Sequence, residues 1–346
     1  MASTDPLLSA TNLVRDGNTL GADQISAAMR VIMSGSAGND LIQDFLENLA
    51  TRTPTGEELA GACAVMKECV QRVDLPDPAS LLDTCGTGGA PKTFNVSTAA
   101  GIVAAACGAR VAKHGNRSRT GRGSAEVLEQ LGINIELTAD QQARCLEEIG
   151  ICFCFAPKHH RSVAHAMPAR KALKTPTIFN LLGPLTNPAG VRHQLVGVPR
   201  AEHTDLIARS LGTLGSYRAW VAHGADGLDE VSTTGYTKVS EYFEGRVRTF
   251  HLHPSDFGVS VAHLRDLRTN SPEENEAVAR EVLRGQPGPA RDMVLVNAAV
   301  GLVIMTRAKS LREGTVMAAA SIDEGRARTA LDRLVAVSNG EGETSV

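Results

Sequence analysis

Two glycine-rich stretches hold the residues of this chain best suited to chemistry. The first, Asp83 to Ser97 (DTCGTGGAPKTFNVS), sets Gly86, Gly88 and Gly89 ahead of Thr93, Asn95, Val96 and Ser97, with Thr98 next. Glycine has no Cβ, so such a turn brings backbone N–H groups close to an anion. A helix starting near Ser97 would aim the positive end of its dipole at the same spot. Helix–strand packing alone also uses such turns, and the motif by itself leaves both readings open. The second stretch, Val111 to Glu126 (VAKHGNRSRTGRGSAE), follows the strand-like ARVA and should open at the same edge of a sheet. Lys113, His114, Arg117, Arg119 and Arg122 supply cationic donors, and Asn116, Ser118, Thr120 and Ser124 neutral ones. Arg forks match phosphate oxygens, and Gly115, Gly121 and Gly123 let the backbone wrap a ligand. A solvated basic loop is the competing reading. Cations interleaved with glycines directly after a buried strand favour an anion site.

Other chemistry-bearing residues are fewer. Asp229-Glu230 follows the apolar run RAWVAHG, and adjacent carboxylates at a strand's carboxyl end suit Mg2+, which keeps its remaining positions for water and phosphate. Acidic pairs in loops are also commonly just solvated. His159, His160 and His165 lack a Cys or Glu at zinc-ligand spacing, and His251-x-His253 reads as a strand edge or loop. Cys152-x-Cys154 alternates with Ile151, Phe153 and Phe155, which argues for a buried strand over a metal pair. Tyr217 and Trp220 read as packing residues.

The elements that must position these groups fall into two kinds. The first seventy residues read as helices only: Ile25, Ala28, Met29, Ile32 and Met33 form one apolar stripe and Leu41, Ile42, Phe45, Leu46 and Leu49 another. Thr55 with Glu58 makes a capping-box pattern that starts a further helix reaching about Val70. QRVDLPDPAS is the linker. Beyond it, strand candidates (Leu81 to Thr84, ARVA, INIEL, ICFCF, QLVGV, RAWVAHG) alternate with helices at Ser124 to Leu131, Thr138 to Ile149 and Glu202 to Leu214. Asp292 to about Val337 is helical. This predicts an α/β fold, a mainly parallel sheet flanked by helices, with a small all-helical N-terminal domain. The domains are expected at 1–75 and 80–337, with a flexible tail at 338–346.

Composition narrows the class of partner. The chain has 346 residues, a net charge of −3 and a pI near 6.4, and its basic residues cluster locally, which suits small anions better than nucleic acid. Seven cysteines without CxxC spacing read as reduced, mostly buried thiols of a cytoplasmic protein. No apolar run approaches the length of a membrane span, and the N-terminus lacks a signal-peptide core.

Taken in order, GTGG, TFNVST, AKHGNRS, GSAEVLEQLGIN, FAPKHHRSVAHAMPAR, TIFNLLGPLTNPAG, QLVGV and GLDEVS resemble the anthranilate phosphoribosyltransferases over roughly residues 20 to 335. The resemblance implies transfer of a phosphoribosyl group from its pyrophosphate to anthranilate, a step of tryptophan biosynthesis, in a Mg2+-dependent cytoplasmic homodimer. It implies phosphoribosyl pyrophosphate contacts from Gly86, Gly89, Ala90, Thr93, Asn95, Val96, Ser97 and Thr98. On the second loop it implies contacts from Lys113, His114, Gly115, Asn116, Arg117, Ser118, Arg119, Thr120, Gly121 and Ser124. For anthranilate it points to Gly86, Asn116 and Arg170 with His160 nearby, and for the metal to Ser97, Asp229 and Glu230. It also implies that about 165–190, rich in proline, returns to the helical domain. Two departures stand out. Ala90-Pro91-Lys92 replaces an Asp and a longer Gly/Ser stretch, and the second loop is a residue short after Ser118, with Arg119 and Arg122 added. The pocket is therefore expected to be more cationic, with a rearranged metal shell or fewer metals. A pyrimidine-nucleoside phosphorylase and a non-catalytic nucleic-acid-binding relative are the alternatives; KHGNR with GTGG, and the acidic pI, favour the first reading.

Overall fold

Four helices precede the first strand: α1 (Pro6–Arg15), α2 (Ala22–Met33), α3 (Asn39–Leu49) and α4 (Gly56–Cys69). The computed structural model describes residues 5–75, 77–91, 93–118, 121–173 and 175–341. The apolar stripes face inward: Ile25, Ala28, Met29 and Ile32 of α2 and Ile42, Phe45 and Leu46 of α3 are fully buried, each large side chain worth about 2 kcal/mol of transfer free energy. Thr55 and Glu58 form the expected reciprocal cap, at 2.7 and 3.2 Å. The Glu58 carboxylate also accepts from Leu20 N–H at 2.9 Å and from the Arg52 guanidinium at 2.6 Å, tying the α1–α2 turn to α4. Helix α1 was not singled out from the sequence, although Asp5 caps it and Pro6 opens it.

The remaining chain builds one seven-stranded sheet. In order come β1 (Leu81–Gly86), α5 (Val96–Ala106), β2 (Arg110–Gly115), α6 (Ser124–Gln130), α7 (Ala139–Ile149) and β3 (Ile151–Phe155). Then follow α8 (Ala156–His159), α9 (Met167–Leu173), α10 (Ile178–Leu182), β4 (His193–Gly197), α11 (His203–Thr213) and β5 (Arg218–Gly224). The chain closes with β6 (Thr237–Phe243), β7 (Arg246–Leu252), α12 (Pro254–Phe257), α13 (Pro272–Leu283), α14 (Pro289–Ile304), α15 (Leu311–Asp323) and α16 (Arg326–Ser338). Strand order is β3-β2-β1-β4-β5-β6-β7, parallel from β3 to β5 and antiparallel beyond. The chain leaves β1 toward β2 and β3 and then crosses back to place β4 on the other side of β1. That reversal opens a crevice at the carboxyl ends of β1 and β4, where ligands bind in open α/β sheets.

Alternate residues of β4 and β5 enter different cores. Leu195 and Trp220 pack with the α5 and α14 side, whereas Val196, Ala219 and Val221 join the cluster filled by α1 to α4, α10 and α11. Helix α9 packs on α3 and α10 on α4, so the proline-rich excursion lies against the N-terminal helices.

The sequence reading needs correcting in four places. INIEL alternates in burial yet is no strand: Asn134 N–H bonds Ser338 Oγ at 3.1 Å and Glu136 N–H bonds the Asn134 side chain at 2.9 Å, so side chains occupy its backbone donors. The β6–β7 hairpin was missed apart from His251, which lies on β7. Ser338 ends α16 fully buried, and Asn339 and Glu341 bond Gly132 and Arg144, so the tail is anchored at least to Glu341; 342–346 lie outside the described residues. Tyr217 is half exposed, its ring against His193 and Phe243, while Trp220 is buried with Nε1 donating to Glu241 at 2.7 Å. All seven cysteines are free; Cys63, Cys145, Cys152 and Cys154 are buried and Cys69 is exposed.

Candidate active site

The crevice is built on paired glycines. Gly86 and Gly197 pair across β1 and β4, and Asp229 lies over both. A Cβ at Gly197 would overlap the Asp229 carbonyl, and one at Gly86 would come within 2.9 Å of its Oδ2. Glycine is required here by close approach, because any side chain would lift the acidic loop off the strand ends.

Beneath the first loop, Lys113 of β2 is 2% exposed, its ammonium donating to the Thr84 carbonyl and, at 3.1 Å, to Ser97 Oγ. Thr84 Oγ1 in turn bonds the Ser97 carbonyl at 3.0 Å. Asp83 accepts from His114 N–H at 3.0 Å and Asn187 Nδ2 at 2.9 Å, fixing β1 to β2 and to the end of the excursion. Burial pulls the Lys113 ammonium below its ordinary value while Asp83, Cys85 and Glu230 hold it up. Burial, and then the Asp229 charge, push the Glu230 carboxyl up to about 8 against the pull of Lys113 and the Ser97 N–H. Ser97, Lys113 and Glu230 thus share one electrostatic environment, with crowded acids that a cation would relieve. Among the described residues no three His, Cys, Asp or Glu side chains form a metal cluster. A serine and two carboxylates suit Mg2+, which binds through one or two carboxylates and keeps waters and substrate phosphates, but not a closed all-protein cage.

The first loop passes over this base. Gly88 and Gly89 take φ of +70° and +95°, and Thr87 N–H bonds the Gly197 carbonyl at 3.0 Å. Ala90 follows, half-buried, and then the exposed Pro91, whose ring a Cβ on Gly227, at the start of the acidic loop, would meet at 3.6 Å. Asn95 stands at the N-cap position of α5 without capping a helix N–H, its Oδ1 instead accepting from Thr98 Oγ1, with Val96 buried behind it. Thr93 Oγ1 bonds the Phe94 carbonyl at 3.1 Å. Lys92 lies outside the described residues.

The second loop is folded on itself. Glu126 accepts from Ser118 N–H at 3.1 Å and Gly123 N–H at 3.0 Å, and Ser118 Oγ accepts from Arg122 N–H at 2.9 Å. Ser124 Oγ lies where a Cβ on Gly115 would fall, and Gly121 takes φ +67°. Asn116 is exposed past the end of β2. Arg117 does not join the site: its guanidinium makes a bidentate pair with Glu129, at 2.5 and 2.8 Å, over the Phe155 ring. Arg122 reaches across to the Thr269 carbonyl. Arg119 and Thr120 lie outside the described residues.

His114 is also turned away from the loop donors. Its Nδ1 meets the Gly183 carbonyl at 3.1 Å and its ring sits 5.2 Å from that of His160. Burial, then His160, hold His114 well below its usual range, and burial, then His159, bring His160 to about 4. Both rings are neutral near pH 7. Arg170 on α9 lies 4.9 Å over the Phe179 ring, and the adjacent Asn180 reaches the Thr87 carbonyl at 3.5 Å, so α10 links Arg170 to the first loop. A separate groove of about 410 Å³, lined by Asp77, Ser80, His193 and Arg307 among others, lies at the opposite edge of the sheet and holds none of these residues.

Two family models divide the chain between them: the helical bundle domain of the glycosyl transferase family matches 9–70 and the family's a/b domain 78–328. The anthranilate phosphoribosyltransferase of Chromobacterium violaceum is 44% identical over 335 residues, spanning 96% of this chain and 98% of the relative. That of Symbiobacterium thermophilum is 46% identical over 323 residues, 93% and 94% of the two chains. The chain belongs to the anthranilate phosphoribosyltransferase family. The family's enzyme from Thermus thermophilus superposes with a TM-score of 0.88 at 36% identity, covering 96% of this chain and 99% of that one. The Saccharomyces cerevisiae enzyme in complex with PRPP (phosphoribosyl pyrophosphate) and Mg gives 0.87 at 29% identity, covering 97% and 99%.

Against that family, sequence reasoning missed three residues that shape the site. Asp83 was read only as the start of a motif, yet it fixes β1 to β2; an acid inside an apolar strand is the signal that marks it. Asn187 and Asn275 reach the site from more than 100 residues away, and only the fold brings them there.

Proposed function

We propose that this chain transfers the phosphoribosyl group of phosphoribosyl pyrophosphate to the amino group of anthranilate, giving N-(5-phosphoribosyl)anthranilate and pyrophosphate in tryptophan biosynthesis. The observation that carries this reading is identity of 44 to 46% over nearly the whole length of two anthranilate phosphoribosyltransferases. As the bond from C1 to pyrophosphate breaks and the bond to nitrogen forms, negative charge grows on the leaving group and the amine sheds a proton to solvent. Charge of that kind is stabilised by donors already in place. The N–H groups of the Gly88–Gly89 turn, the first turn of α5 and the Ser97 hydroxyl supply them, with the Lys113 ammonium beneath and Thr98 bracing Asn95. Ser97, Asp229 and Glu230 would hold Mg2+, whose charge offsets that of the pyrophosphate when it is bound. Arg170 provides a carboxylate fork for anthranilate, and Gly86, Asn116 and the neutral His160 complete its surroundings. Arg117 and His114 contribute through the folding of the loop.

Where the resemblance gives an acid after GTGG, this chain has Ala90, followed by Pro91, whose ring would lie 3.6 Å from a Cβ on Gly227. Proline fixes φ, so Pro91 stiffens the first loop, and Ala90 removes one charge from beside the proposed metal site. We assign a smaller or rearranged metal shell to this site on that ground, and a homodimer in the cytoplasm to the whole protein by kinship. Anthranilate fluorescence should decay on adding enzyme, phosphoribosyl pyrophosphate and Mg2+, and stay constant when any one is omitted. Turnover of thymidine with phosphate, or salt-sensitive DNA binding, would overturn the reading. Ala90→Asp should change the Mg2+ concentration for half-maximal rate; no change would remove the case for an altered shell. Light scattering should give twice 36.5 kDa.

A further inference from the structure

The segment from Leu267 to Asn275, which leads into α13 and takes in its first turn, touches both glycine-rich loops. Three successive residues of the first loop are bonded to it. Thr93 O accepts from Thr269 Oγ1 at 3.3 Å, Phe94 N–H bonds Leu267 O at 3.3 Å, and Asn95 N–H bonds Asn275 Oδ1 at 2.6 Å. The second loop is bonded to it as well, through the Arg122 guanidinium on the Thr269 carbonyl. Leu267, Thr269 and Asn275 are all buried, Asn275 completely.

Asn275 is the informative member. Its Nδ2 has no hydrogen-bond partner although the side chain is fully buried, a condition that costs stability and that a well-packed apolar residue would avoid. A carboxylate would accept the Asn95 N–H without leaving a donor unpaired, but it would put a negative charge beside a site for anions. A neutral amide supplies the acceptor and leaves the anion unopposed. The bond also falls at a decisive point. Asn95 stands at the N-cap position of α5 without a side-chain cap bond, and Thr98 at N3 donates to Asn95 Oδ1, while the Asn95 N–H is held from outside the helix by Asn275.

We propose that Asn275 and Thr269 are positioning residues for phosphoribosyl pyrophosphate: they hold Thr93 to Asn95 in place and, through Arg122, tie the second loop to the first. The proposal rests on the functional reading above. The first half of that loop contains two glycines at positive φ, which are permissive by themselves. Its second half is made rigid by this strap.

The test uses the full-length enzyme with Mg2+ and compares wild type, Asn275→Ala and Thr269→Val in the anthranilate fluorescence assay, with thermal melts with and without phosphoribosyl pyrophosphate. Asn275→Ala should raise the KM for phosphoribosyl pyrophosphate about tenfold, or about 1.4 kcal/mol, and Thr269→Val about threefold. The KM for anthranilate should stay within about twofold, since its candidate contacts lie on other segments. The melting shift produced by phosphoribosyl pyrophosphate should shrink in both variants. A purely structural role would lower kcat with the folded fraction and leave both KM values alone; that result, or an equal rise in both, overturns the proposal. Thr269→Val, close to isosteric, keeps the test alive if Asn275→Ala does not fold. Wild type that leaves anthranilate fluorescence unchanged overturns the functional reading instead, and is told apart by failing before any variant is compared.

Discussion

Lys113 Nζ donates to Ser97 Oγ at 3.1 Å, joining β2 to the first turn of α5 under the first glycine-rich loop. The ammonium is nearly inaccessible, so it acts from below: it orients the serine hydroxyl and lends positive charge to Asp83 and Glu230.

Lys113→Met removes that charge at little change in volume. The kcat/KM for phosphoribosyl pyrophosphate should fall about 100-fold, the scale seen when one preorganised donor is lost, measured by anthranilate fluorescence on protein shown folded by circular dichroism. Lys113→Arg should not restore it, because a planar fork does not replace a point charge in a filled space.

Glu230→Gln should move two observables in opposite directions. Near neutral pH, removing a carboxyl that burial, and then the Asp229 charge, keep from ionising raises the melting temperature of the metal-free protein. The further rise produced by Mg2+ should disappear, and the rate should drop about tenfold or more. Calorimetry with and without Mg2+ reads the first pair; a variant that melts lower than wild type without Mg2+ would contradict the crowding.

Gly197→Ala and Gly86→Ala should differ in severity. The first sets a methyl on the Asp229 backbone carbonyl, which is held by the chain, and should cost about 1–3 kcal/mol. The second meets only the carboxylate tip, which can swing aside. Urea titration should rank them in that order, and both should need more Mg2+ for half-maximal rate.

Acid should weaken the protein through His114 and His160. Their folded-state values lie below the ordinary 6.5, that of His160 at about 4, so the unfolded chain binds protons first as pH falls. Their contribution is complete above about pH 6.5 and is lost progressively toward about pH 4. Urea midpoints at pH 7.5, 6 and 5 should decline, and His160→Phe should flatten the slope between them.

Local patterns in the sequence were reliable where their partners are also local. The Thr55–Glu58 cap, the stripes of α2 and α3, and the glycine turn before α5 were all legible because the interacting groups lie within a few residues. INIEL misled because alternation records burial on one face, whereas a strand also needs a neighbour to take its hydrogen bonds. Arg117 shows a similar limit: composition marks a cation, and only the fold reveals its pairing with Glu129, twelve residues on. The reach of Asn187 and Asn275 left no mark in the sequence near either loop.

The division of β4 between two cores restricts how the enzyme can adapt to its substrates. Val196 is packed among the N-terminal helices, while its neighbour Leu195 is rooted in the opposite layer and Gly197 carries the acidic loop. A swing of the helices would drag this strand, and the carboxylates resting on its end, along with them. Accommodation therefore falls to Gly88, Gly89 and the exposed tip around Asn116, so the measurable motion on ligand entry should be a local settling of the two loops onto an unmoving floor.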